Sequence, residues 1–98
     1  MKPEVELVYF RGCPYVEAAR QALRATFAAM GVTPEWKEWD QERPGVPTRI
    51  QGYGSPTVLI AGRDVQGGTA GTDGRACRAD GPPSMEQICS SLAAMLNT

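Results

Sequence analysis

The chain opens on an almost uninterrupted apolar run, Val5-Glu6-Leu7-Val8-Tyr9-Phe10, built of β-branched and aromatic residues and ended by Gly12. A run of this kind suits a central strand covered on both faces. Beyond it the period changes. Val16, Ala19, Leu23, Phe27 and Met30 recur at steps of three or four, which lays one apolar stripe along a helix. Pro14 fits the first helical position, since its missing N–H is not needed there and its φ is already helical. Gly31 supplies the stop.

The next stretch, "TPEWKEWD", carries Trp36 and Trp39 at a helical spacing, yet Pro34 and Asp40 leave little room for a helix, and a strand is expected. "QERPGVPTRIQGYG" contains Pro44, Gly45 and Pro47 and can hold at most a short, distorted helical turn. A strand is predicted from Thr57 to Ala61, with Gly62-Arg63 as a two-residue hairpin turn returning through Asp64-Val65. Residues 66–82, "QGGTAGTDGRACRADGP", form a glycine-rich connection almost without apolar side chains, expected to be flexible. In the last segment Ser84 can cap a helix with Gln87 in the capping-box position, and Met85, Ile88, Cys89, Leu92 and Leu96 share one face. There is no internal repeat. The predicted order β-α-β-(short α)-β-β-α makes one α/β domain over residues 1–98, a central mixed sheet of about four strands with helices on its faces.

Composition adds exclusions more than identities. Ninety-eight residues, 42% of them hydrophobic and 21% charged, suit one soluble globular domain with a modest core. A net charge of −1 gives no electrostatic reason to expect nucleic acid or an anionic membrane as partner. Glu4 and Glu6 interrupt the position where a secretory signal needs its apolar run, and no segment approaches transmembrane length, so a cytoplasmic location is expected. The absence of histidine removes Ser–His and Cys–His catalysis and the ordinary zinc hydrolase. "GGTAGTDG" follows neither P-loop nor Rossmann spacing. Tyr9, Phe10, Trp36 and Trp39 read as core or sheet-face residues rather than a base-stacking surface, and Asp64 and Asp73 as turn residues.

What remains is thiol chemistry. Cys13, Cys77 and Cys89 are odd in number and scattered, which does not read as a disulfide framework. Cys13 is expected as the N-cap residue before Pro14, where the helix N-terminus favours a thiolate and Arg11 adds positive charge, with Glu17 working weakly against it. The strand-to-helix turn should also leave it accessible, at the sheet edge where α/β sites gather. The alternative is an inert residue on a scaffold. Cys77 lies between Arg75 and Arg78 and reads either as a resolving thiol or second soft-metal ligand, or as a bystander in an exposed loop. Cys89 sits in the apolar stripe of the last helix and is expected to pack as a small hydrophobe.

Three short segments together resemble a known family. "Cys13-Pro14-Tyr15" is similar to the glutaredoxin motif Cys-Pro-Tyr-Cys, with Val16 in the fourth position. "Gly54-Ser55-Pro56-Thr57-Val58" resembles the cis-proline segment of the thioredoxin-like fold, and "Gly67-Gly68" resembles the glycine pair that completes a glutathione site. The resemblance implies a thioredoxin-like fold, closest in motif to monothiol glutaredoxin-like proteins among small bacterial thioredoxin-like domains. It departs from the family in having valine rather than serine at the fourth motif position, and Arg11 where a lysine often stands. It implies a monothiol thiol–disulfide oxidoreductase acting through Cys13, with Cys77 or glutathione resolving the intermediate. Arg11, Pro14, Tyr15, Ser55, Pro56, Gly67 and Gly68 would bind a glutathione or disulfide substrate, and no cofactor is required. Two further readings stay open: soft-metal capture by Cys13 and Cys77, or an iron–sulfur cluster held by Cys13 and glutathione, and a redox-inactive interaction domain.

Overall fold

The computed structural model describes residues 4–67 and 81–96. The apolar opening run is β1 (Val5–Tyr9), followed by α1 (Val16–Met30), β2 (Lys37–Asp40), α2 (Thr48–Gln51), β3 (Thr57–Ile60), β4 (Arg63–Asp64) and α3 (Met85–Leu96). The strands form a four-stranded mixed sheet in the order β2-β1-β3-β4. β1 pairs parallel with β2 and antiparallel with β3, and β3 pairs antiparallel with β4. The fold is α/β, with the element order that the sequence predicts. Among the described residues no helix is long and apolar enough to cross a membrane.

Alternation along the strands sends two sets of side chains to opposite faces. Val5 and Leu7 of β1, with Val58 and Ile60 of β3, meet Val16, Ala19, Leu23 and Phe27 of α1 and Ile88 and Leu92 of α3 in the main core. Val8 and Leu59 face the other way and meet Ile50 of α2, with Trp39, Val46 and Tyr53 at the margin. β1 is therefore covered on both faces, as its continuous apolar run requires. Its one charged residue is buried as well: the Glu6 carboxylate accepts from both terminal nitrogens of the Arg49 guanidinium (3.1 and 2.8 Å) and from Trp39 Nε1 (2.7 Å).

The helix ends follow their signals. Gly31 adopts a left-handed φ of 67°, and the N–H of Val32 donates to Phe27 O at 3.0 Å, closing α1. Ser84 and Gln87 form the expected capping box: Gln87 N–H donates to Ser84 Oγ at 3.1 Å, and Ser84 N–H to Gln87 Oε1 at 2.9 Å. Trp36 lies half-buried and stacks on Phe27, with ring centroids 6.0 Å apart.

Four local expectations are corrected. The strand expected over "TPEWKEWD" begins only at Lys37, because Pro34 has no N–H to give a ladder. The hairpin turn is Ala61-Gly62, not Gly62-Arg63. Both turn residues have positive φ (53° and 79°), the requirement of a tight hairpin, and Arg63 already pairs with Ile60. Met85 stands 41% exposed, since it opens α3 beyond the reach of the core. Cys89 is half-buried rather than fully packed, beside the buried positions Ile88 and Leu92.

Candidate functional site

β1 and β2 run parallel and end at the same edge of the sheet, and β3 begins there, because Val8 pairs with Thr57. The turn after β1 and the segment before β3 are thus brought face to face. In the turn, Gly12 takes a φ of 86°, a conformation open to glycine, and this redirects the chain so that Cys13 points inward. Cys13 N–H donates to Phe10 O and Val16 N–H to Cys13 O, both at 3.4 Å.

This geometry corrects two expectations about Cys13. The N-cap of α1 is Tyr15, and the helix starts at Val16, because Cys13 to Val16 forms a turn of its own before the helix. Cys13 is also buried, 8% exposed and part of the main core, rather than accessible. Around it Arg11, Gly12, Pro14 and Tyr15 are exposed and form a rim.

Across the gap lies the segment Gly54-Ser55-Pro56-Thr57. The Ser55–Pro56 peptide is cis, and both residues are buried. Cys13 Sγ donates to the Ser55 carbonyl at 3.5 Å. Only the thiol can donate this bond; the thiolate, which is the nucleophilic form, arises by giving it up. Ser55 Oγ accepts from Phe10 N–H at 3.3 Å, and Thr57 Oγ1 donates to Gly54 O at 2.8 Å. The Ser55 side chain thus ties the two segments together, while its carbonyl meets the thiol.

The charges around the site are already engaged. Arg11 Nε donates to Asp40 Oδ2 at 3.0 Å, so its guanidinium neutralises a buried carboxylate before it can act on Cys13. Glu17 binds Arg20 and Arg24 along the outer face of α1, away from opposition to the thiol. Val65 N–H donates to Val58 O, which carries the chain on past β4 toward the same sheet edge. Gly67 follows in a turn, donating to Asp64 O at 3.0 Å. Gly68 and Cys77 lie outside the described residues, as does most of the glycine-rich connection. Among the described residues no group of three or more histidine, cysteine, aspartate or glutamate side chains is set to hold a metal ion.

Two neighbouring residues at the end of β2 belong to this site and carry no motif. Asp40 reaches Arg11, as above. Gln41, 3% exposed, donates from Nε2 to Ile50 O and Tyr53 O, both at 2.9 Å. The available signal was topological: they stand where a second parallel strand ends beside the first, the edge at which α/β sites form. No family model, curated protein or solved structure matches the chain.

Proposed function

We propose that the protein is a monothiol exchange domain on a thioredoxin-like framework, with Cys13 as the working thiol. The observation that carries this reading is the 3.5 Å contact between Cys13 Sγ and the Ser55 carbonyl. It joins two of the three segments whose resemblance suggested the chemistry, and it does so at a sheet edge suited to a site. The element order and the mixed sheet are compatible with the same framework.

In the proposed reaction the Cys13 thiolate attacks one sulfur of a glutathione mixed disulfide. A Cys13–glutathione disulfide forms and the protein or small-molecule thiolate leaves, taking up a proton. A second glutathione then attacks that disulfide, releasing oxidised glutathione and restoring Cys13. In sum the mixed disulfide and one free glutathione become a free thiol and oxidised glutathione; one disulfide is lost, one is formed, and no electrons are left over. Val16, an apolar core residue, leaves the motif without a resolving thiol in its fourth position. The exposed Pro14 and Tyr15 form the face on which the extended thiol ligand lies, with Arg11, Ser55, Pro56 and Gly67 around it.

The test is turnover of a glutathione mixed disulfide by purified protein, followed through oxidised glutathione. Wild type exceeds the uncatalysed rate, Cys13→Ser falls to that rate, and Cys77→Ser keeps its activity when glutathione resolves. Exchange that Cys13→Ser leaves unchanged removes the proposal, and a wild type no faster than the uncatalysed rate favours a redox-inactive domain.

A further inference from the structure

Past its last ladder bond with β1, the end of β2 makes side-chain contacts that strand pairing does not require. Gln41 N–H donates to Tyr9 O at 2.7 Å, fixing it against the last residue of β1, directly ahead of the turn that carries Cys13. Its side-chain nitrogen uses both hydrogens on Ile50 O and Tyr53 O, the second of which lies just ahead of Gly54 and Ser55. The preceding residue completes the arrangement. Asp40 is 4% exposed at its side chain and holds Arg11 through Oδ2, while Oδ1 accepts from Glu42 N–H at 3.0 Å. One strand end therefore grips both halves of the site: Asp40 the Cys13 turn, and Gln41 the Ser55 segment.

We infer that Asp40-Gln41 is a bracket that sets the separation of the Cys13 thiol and the Ser55 carbonyl, and that Gln41 is a positioning residue for Cys13. The carbonyls at the end of a helix have no partner within it. In α2 the Ile50 carbonyl accepts locally from Tyr53 N–H at 3.1 Å and, on its other side, from the Gln41 amide, which is anchored to β1. With that amide gone, the Tyr53-to-Ser55 segment is tied to the first half of the site through the Ser55 Oγ and Cys13 Sγ contacts. The thiol then loses its fixed cover. The bearing of the bracket on turnover rests on the exchange reading above; its effect on Cys13 does not.

The experiment is alkylation of the full-length, reduced protein by iodoacetamide, read at each cysteine by mass spectrometry, in wild type, Gln41→Met and Gln41→Asn. Methionine keeps the length and removes both donors. Asparagine keeps the donors but is one methylene shorter, and it supplies a milder variant should methionine prevent folding. Cys89, half-buried on α3, is the internal reference for global loosening. Gln41→Met speeds alkylation of Cys13 about fivefold, the factor to which one net hydrogen bond converts, and leaves Cys89 unchanged. Gln41→Asn falls between that and wild type. Cys13 unchanged or slowed in both variants, or Cys13 and Cys89 accelerated together, overturns the bracket. Wild-type exchange no faster than that of Cys13→Ser removes the exchange reading alone and leaves the alkylation result standing.

Discussion

Replacing Arg49 by alanine strands a carboxylate in the middle of the sheet. Glu6 is 1% exposed and sits on the central strand, where it accepts two hydrogen bonds from Arg49 and one from Trp39. Removing one partner of a buried pair costs about 3–5 kcal/mol, because the other charge stays buried without compensation. The Arg49 side chain is 52% exposed, so water reaches the outer edge of the pair. Trp39 also still donates. Both facts place the expected loss below that range, at about 2–3 kcal/mol, or roughly 10–20 °C of melting temperature for a domain of this size.

The pH dependence gives a second readout with a definite sign. Burial pushes the Glu6 carboxyl up, but the hydrogen bonds from Arg49 and Trp39 and the charges of Arg49 and Lys37 outweigh it. Its pKa therefore lies below the ordinary 4.5. A depressed folded-state pKa contributes stability that is present above the unfolded value and lost as pH falls through the folded one. In Arg49→Ala burial dominates, and protonation of Glu6 relieves the penalty. The gap between wild type and variant is therefore full at about pH 7, begins to narrow as pH falls through the variant's raised Glu6 pKa, above 4.5, and narrows further as wild type loses its own contribution below 4.5. The double variant Glu6→Leu, Arg49→Leu removes both charges and returns to within about 1 kcal/mol of wild type. Urea unfolding at several pH values, with slopes compared between variants, measures all three. A loss under 0.5 kcal/mol at pH 7, or a gap that stays constant on acidification, would refute the reasoning.

Leu23 is fully buried between α1 and the sheet, and Leu23→Ala loses about 3 kcal/mol in denaturant unfolding through lost burial and the cavity left behind. Ser84→Ala removes the oxygen that caps Gln87 N–H and lowers stability by about 1 kcal/mol, whereas Ser84→Asp restores it, as melting temperatures would show.

The local features of this chain were legible where the signal is local. The opening run gave β1 as a strand covered on both faces; Gly31 gave the end of α1; Ser84 and Gln87 gave the start of α3. Where a single residue decides between near-equal local choices, the reading slipped. Pro14 suits a first helical position, but the Cys13-to-Val16 turn won and moved the helix start onward. Nothing in Ala61 marks it for a positive φ, yet the hairpin needs two in succession. The polar anchors were not legible at all. Glu6 with Arg49, Arg11 with Asp40, and Gln41 with Tyr53 join residues distant in sequence, and each carries its meaning only once the sheet is assembled. Cys13 was found as a candidate because its neighbours form a short motif; its burial follows from Gly12 and the packing of α1, which a motif does not encode.

The pairing of β1 with β3 also constrains how the molecule comes into being. A central strand of the sheet is made first, while the antiparallel partner that completes it lies in the second half of the chain, with Val5 waiting for Ile60. During synthesis β1, α1 and β2 emerge in turn, and a parallel pair of β1 and β2 can form across the helix. That intermediate leaves one side of β1 without a neighbour, and Leu7 and Leu23 without the cover of α3. Closing so long a loop before any reward is gained slows assembly. The nascent chain therefore passes through a stage with an open strand edge and exposed apolar surface, the features by which unfinished chains associate with one another or engage chaperones.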